Sequence, residues 1–164
     1  FGMVQPKFKA NSKSEVYKVG CLGKITSFYE TTDKRFIISL SGIIRFNIKE
    51  ELTTKKLYRE FIVDYSNYAD DLKIKKNKLN KNDVINLLDK IKFFFEKKNY
   101  LLEWNELEKL NLEQLISTAC MIAPFSVEEK QQLIETIKVE DKLTKLEKII
   151  NFNLLDNIEN KTIQ

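Results

Sequence analysis

The sequence predicts an α+β chain, with a β subdomain over residues 1–66, a linker over 67–82 and an α-helical bundle over 83–164. Three observations carry that reading. Runs rich in β-branched and aromatic residues, alternating with period two, fill the first 66 residues. Apolar residues at helical spacing, opened by capping signals, fill the second half. Between them the composition turns to lysine and asparagine, as in Lys73-Ile74-Lys75-Lys76-Asn77-Lys78-Leu79-Asn80-Lys81-Asn82, which marks a boundary.

Taken in order, Phe1-Gly2-Met3-Val4-Gln5-Pro6 reads as a strand, and polar residues 7–15 as a loop leading to a strand at Val16. Val19–Tyr29 and Lys34–Leu40 are extended segments joined by Glu30-Thr31-Thr32-Asp33, a hairpin. The chain crosses Gly42 and resumes with Ile44, Phe46 and Ile48 on a buried face and Arg45, Asn47 and Lys49 on the other. Arg45 is expected at an exposed or inter-subdomain ion pair. Lys49–Lys56 reads as a charged connection and Leu57–Tyr65 as the last strand. Asn82 or Asp83 caps a helix with Val84, Leu87, Leu88, Ile91, Phe94 and Phe95 on one face, fading at Lys97-Lys98-Asn99. Leu101, Leu102, Trp104 and Leu107 anchor a short helical stretch. Asn111 with Gln114 opens a helix through Leu112, Leu115, Ile116, Ala119 and Cys120 that stops before Pro124; Ser126 with Glu129 opens another through Leu133, Ile134 and Ile137. Val139, Leu143, Leu146 and Ile150 define the last helix, with a fraying Asn-rich tail after Phe152.

Charge is unevenly shared. Residues 1–82 carry 17 Lys and Arg against 9 Asp and Glu, while residues 83–164 carry 11 against 15. A basic β half fits either a surface for nucleic acid or acidic protein, or a lysine-rich composition whose interleaved acids break any phosphate-binding stripe. The chain has no histidine, which removes imidazole bases, Ser-His and Cys-His nucleophile pairs and imidazole metal ligands. Cys21 and Cys120 are far apart and read as two reduced, buried thiols, so no thiolate metal site and no cofactor is expected, and the compartment is the cytoplasm. No apolar run nears the roughly 20 residues that span a bilayer, so no membrane contact is expected. Gly20-Cys21-Leu22-Gly23-Lys24-Ile25 lacks the spacing and the Ser or Thr of a phosphate-binding loop, so its glycines belong to a strand. The carboxylate pairs Glu50-Glu51, Asp70-Asp71 and Glu128-Glu129 read as surface or helix-start acids rather than catalytic pairs.

The aromatics of the β half remain. Alternation sends only part of Phe28, Tyr29, Phe36, Tyr58, Phe61, Tyr65 and Tyr68 inward, leaving rings either for extended peptide or for packing between the subdomains. Phe28, Tyr29, Tyr65 and Tyr68 are the candidate peptide-binding residues.

Val19–Ile25 together with Asp33–Ile48, including Gly42-Ile43-Ile44-Arg45-Phe46-Asn47-Ile48, resembles the signature of the Lon substrate-binding (Lon N-terminal) domain family. Ala119–Glu135, with Pro124 between two helices, is similar to that family's helical part. The resemblance covers essentially the whole chain, with Gly20, Gly23, Gly42, Arg45, Phe46 and Pro124 as structural signature positions. It implies a PUA-like β pseudo-barrel subdomain followed by a helical bundle, serving as a non-enzymatic module that binds unfolded or tagged polypeptides in protein quality control, with an ATPase or protease as partner. A PUA-like RNA-binding domain is the alternative, since such barrels also recognise RNA. In full-length relatives the domain precedes an ATPase and a Ser-Lys peptidase; this chain has no Walker A match and reads as a standalone form. The family's usual opening strand and helix are missing before Phe1, an expectation that leaves an open β edge through which homo-oligomers could form. Lys34 replaces the usual glycine of the hairpin turn.

Overall fold

The computed structural model describes residues 1–7, 15–73 and 81–159. The expected loop over 7–15 therefore lies almost wholly outside the described residues, as do 74–80 of the expected linker and the tail over 160–164. The chain forms two compact units, Phe1–Lys75 and Lys76–Gln164, and the α+β class holds.

In the first unit an antiparallel sheet has the order β1 (Gly2–Met3), β4 (Val19–Glu30), β5 (Phe36–Leu52), β6 (Glu60–Asp64); β2 (Pro6–Lys7) and β3 (Glu15–Val16) pair separately. β5 differs from expectation. It is one strand of 17 residues that passes through Gly42 and absorbs the start of the expected charged connection as far as Leu52. Its pairing with β4 shifts twice. Leu22 faces Ile44 while Gly23 faces Gly42, which leaves Ile43 over; Ile25 faces Leu40 while Ser27 faces Ser39, which leaves Thr26 over. One extra residue on each strand makes two bulges that offset one another, so the register at the tip equals that at the base. The chain thus runs through Gly42 as strand, and the irregularity is a bulge at its neighbour Ile43.

Only the base of this pair is buried. Val19, Gly20, Ile44, Arg45 and Phe46 are buried, and Phe46 lies directly across from Gly20. A Cβ on Gly20 would stand 2.5 Å from Val4 Cγ1, 2.6 Å from the Met3 carbonyl oxygen and 2.8 Å from Phe46 Cζ, so the ring occupies space that only glycine leaves open. Tyr65 meets Phe46 edge-on at 6.2 Å.

Ser66 together with residues 67–72 of the expected linker forms a 3-10 helix (Ser66–Leu72) belonging to the β unit and burying Tyr68. The division after Lys75 falls inside the expected linker, and Tyr68 and Asp71, ahead of it, are held in the β unit by tertiary contacts that composition does not register.

The second unit contains α1 (Lys81–Lys97), α2 (Trp104–Leu107), α3 (Leu112–Ile122), α4 (Val127–Glu135) and α5 (Val139–Glu159). Both capping boxes form: Asn111 Oδ1 accepts from the Gln114 amide at 2.9 Å, and Ser126 Oγ from the Glu129 amide at 3.1 Å, with the side chains of Gln114 and Glu129 accepting in return. Pro124, between Ala123 and the Ser126 cap, cannot continue α3. Leu87, Ile91, Phe94 and Phe95 of α1 pack with Leu115 and Ile116 of α3 and with Leu146 and Ile150 of α5; the side chain of Val84 lies outside the described residues. α5 continues to Glu159, beyond the point where fraying was expected, and Ile137 falls outside α4 and is exposed. Both cysteines are free and partly rather than fully buried; burial pushes the Cys120 thiol up to about 11 and that of Cys21 upward as well.

Gly20→Ala should destabilise the β unit by about 1–3 kcal/mol in urea denaturation, since backbone and ring must move. Gly23→Ala is the control: its Cβ would find nothing nearer than 3.6 Å, and its effect should stay within about 1 kcal/mol.

Candidate binding surface

β5 is covered on both sides at residues 44–46, and the two coverings differ in chemistry. On the Phe46 side, Val4, Leu22, Phe46, Phe61, Val63 and Tyr65 line an apolar cavity of about 430 Å³. On the Arg45 side, the 3-10 helix lays the Tyr68 ring 4.5 Å from the guanidinium carbon. Asp71 accepts from Arg45 Nε at 2.8 Å, from Nη2 at 2.6 Å and from the Arg45 backbone amide at 3.2 Å. The fork-to-carboxylate geometry is bidentate, and the two side chains are only 10% and 19% exposed. Arg45 therefore pairs inside the β unit, a correction to the exposed or inter-subdomain pair expected of it: Asp71 satisfies its charge where Tyr68 shields it from water.

Beyond this base, the strands continue as a two-stranded ribbon. β1 pairs with β4 only at Cys21 and Leu22, and β6 with β5 only from Asn47 to Leu52, so among the described residues no third strand accompanies 24–30 and 36–42. Every residue in both stretches is exposed. Direct cross-strand partners share a face, so Phe28 opposite Ile38, Phe36 opposite Glu30 and Ile25 opposite Leu40 lie on one side. That side presents five large apolar side chains, with Phe28 69% and Phe36 59% exposed and their rings 6.5 Å apart. The opposite side alternates Tyr29 and Ile37 with Ser27, Ser39, Lys24 and Ser41. At the turn, Thr31 donates both its backbone amide and its hydroxyl to the Arg35 carbonyl, Arg35 Nε donates to Asp33 at 2.7 Å, and Lys34 takes a left-handed φ of 61°. A lysine thus holds the conformation that glycine adopts without strain.

The predicted peptide-binding residues divide accordingly. Phe28 and Tyr29 lie on opposite faces of the ribbon, both exposed. Tyr65 borders the apolar cavity at 36% exposure. Tyr68, at 3% exposure, is a correction: it is a buried platform for Arg45 and has no surface to offer a ligand. Gly20, Arg45 and Phe46 gather at the buried base of the β4–β5 pair, Gly23 and Gly42 face each other where the ribbon begins, and Pro124 belongs to the helical unit. Ile25, Ile38 and Leu40 were not singled out in the sequence. The available signal was that Phe36-Ile37-Ile38 is apolar on both alternation sets, a pattern that a strand with one solvated face does not need. Among the described residues no group of His, Cys, Asp or Glu could hold a metal, and no helix is long and apolar enough to cross a membrane.

Asp64 lies where β6 ends. The Ser66 amide donates to its carboxylate at 2.9 Å, with the Ser66 hydroxyl and Lys49, 3.1 Å away, adding to the effect, and its pKa falls from 3.8 to about 2.

The comparisons with known proteins run across both units. The profile of the ATP-dependent protease La (LON) substrate-binding domain matches residues 1–151. A Lon protease of Malacoplasma penetrans (strain HF-2) is 30% identical in an alignment 162 residues long that covers 90% of this chain and 19% of that protein. The chain thus spans about a fifth of the length of this relative. The N-terminal domain of a Mycobacterium avium complex Lon protease superposes with a TM-score of 0.58 at 13% identity, covering 92% of this chain and 90% of that one, a likeness of fold.

Two predictions test the base. Asp71→Ala strands the Arg45 guanidinium and should cost roughly 3 kcal/mol, most of it recovered when Arg45→Met is added, as read by urea denaturation. Because the folded-state pKa of Asp64 is depressed, its stabilisation is complete above about pH 3.8 and lost as pH falls toward 2. Melting temperatures between about pH 2 and 5 should fall less steeply for Asp64→Asn than for the parent protein.

Proposed function

Because the chain belongs to the LON substrate-binding domain family, we propose that it is a non-enzymatic module that captures unfolded or tagged polypeptide for proteolysis, and that capture occurs on the exposed β4–β5 ribbon. The observation that carries this reading is the run of Ile25, Phe28, Phe36, Ile38 and Leu40 on one solvent-facing side of a two-stranded ribbon. Exposed apolar patches of this kind mark interaction surfaces. An unfolded chain offers the matching chemistry, with apolar side chains to cover the face and backbone groups to pair with the ribbon's open edges. The edges and the face act together, since hydrogen bonding along the backbone is indifferent to sequence while the apolar side chains select for hydrophobic segments. Captured polypeptide would pass to an ATPase and protease partner that performs unfolding and cleavage. Two free cysteines suit a reducing, cytoplasmic setting.

The nucleic-acid alternative has less support. Arg35, Arg45, Lys49, Lys56, Arg59 and Lys73 of the β unit each lie against a carboxylate, which breaks up the basic stripe that phosphate binding needs.

Fluorescence anisotropy with a labelled, permanently unfolded polypeptide tests the proposal. Phe28→Ser combined with Ile38→Ser should weaken binding about tenfold or more, and raising salt from about 0.05 to 0.5 M should change the parent affinity little. No binding by the folded parent protein, or a steep loss with salt, would count against it.

A further inference from the structure

We propose that the apolar face of the ribbon is its own regulator: in the absence of polypeptide, two copies of the chain pack ribbon to ribbon through Ile25, Phe28, Phe36, Ile38 and Leu40. The inference rests on the reading of this face as the capture site and adds the species that covers it when no client is present.

The size of the face decides for a second copy. Scaled by their exposures, the five side chains leave on the order of 500 Å² of largely apolar surface uncovered. Facing two such surfaces removes roughly 1,000 Å² in total, the lower limit of specific association. The dimer is therefore weak and reversible, with a dissociation constant on the order of 1–100 μM, which a competing client can overcome. The shape also fits. β faces pack with their strands near alignment, and a face that meets its own copy needs a two-fold arrangement. Glu30 is the one charged residue among the paired positions of this side and sits beside the turn, opposite Phe36. With the two ribbons antiparallel, the Glu30 carboxylates stand at opposite ends of the interface and the centre is wholly apolar; the parallel arrangement would bring them together. The contact differs from pairing through a sheet edge, since it uses side chains of one face and leaves the backbone edges free.

The two faces of the ribbon supply an internal control, because Ile37 and Ile38 are neighbours on β5, 48% and 50% exposed, and point to opposite sides. Sedimentation velocity on the full chain from about 1 to 200 μM should show a monomer–dimer equilibrium in that range. Ile38→Glu should weaken the dimer at least tenfold and Ile37→Glu less than threefold, both with the parent circular dichroism spectrum. A reduced, carboxymethylated polypeptide should convert dimer to a one-to-one complex. A monomer throughout the range, or equal effects of the two substitutions, overturns the proposal while leaving polypeptide capture standing on its own anisotropy measurement. A dimer broken by Ile38→Glu yet unmoved by saturating polypeptide overturns the regulation and assigns capture to another surface.

Discussion

The ring of Phe46 fills the space that a side chain at position 20 would need, and this close approach holds the β unit in its register. Val4 and the Met3 carbonyl close on the same point from the neighbouring strand, and Tyr65 closes on the ring from the exit of β6. Three segments distant in sequence thus converge on one missing Cβ. A slip of β4 by one residue would put the Cys21 side chain into that space and turn every other side chain over. On the reverse side of the strand, Arg45 is buried at the same level and needs its own partner, which Asp71 brings by folding the 66–72 turn back on the sheet. One stretch of three residues therefore organises an apolar contact on one side and an ionic one on the other.

The helical unit is built on a different footing. Its helix starts are set locally, by Asn111 with Gln114 and Ser126 with Glu129, and its interior by a shared apolar cluster in which Phe94 and Phe95 meet at 5.6 Å and Phe94 meets Phe125 at 5.5 Å. A residue such as Pro124 serves here by what it forbids, since α3 cannot continue through it.

These two modes of construction explain what was legible in the sequence. Capping boxes, the proline stop and the period of α1 are short-range signals, and they placed the starts of α3 and α4, the end of α3 and the inner face of α1; α1 itself already contains Asn82 and Asp83, the residues expected to cap it. The alternation of Ile44 and Phe46 was equally plain. Burial of Arg45 and Tyr68 was not, because each depends on the other and on Asp71 across 26 residues, a partnership that no local pattern encodes. The same limit hid the apolar side of the ribbon. Period two tells which residues share a side of a strand but not whether anything lies against that side, and that depends on how far β1 and β6 extend along β4 and β5. Hence Phe28 and Tyr29 could be chosen as exposed rings, whereas Ile38 and Leu40 resembled core.

The register of the ribbon carries a consequence for the order in which the β unit assembles. Its pairs span six positions at the tip, Glu30 with Phe36, and 28 at the base, Val19 with Asn47. The entropy of closing a loop grows with its length, so zipping from the turn downward costs least. Cross-strand contacts such as Phe28 with Ile38 compensate that first closure before any of the buried base exists. The apolar side chains that remain in water at the end are then the ones positioned to hold the chain together at the beginning, and the offsetting bulges at Thr26 and Ile43 deliver the zipper to Gly20 and Phe46 in step.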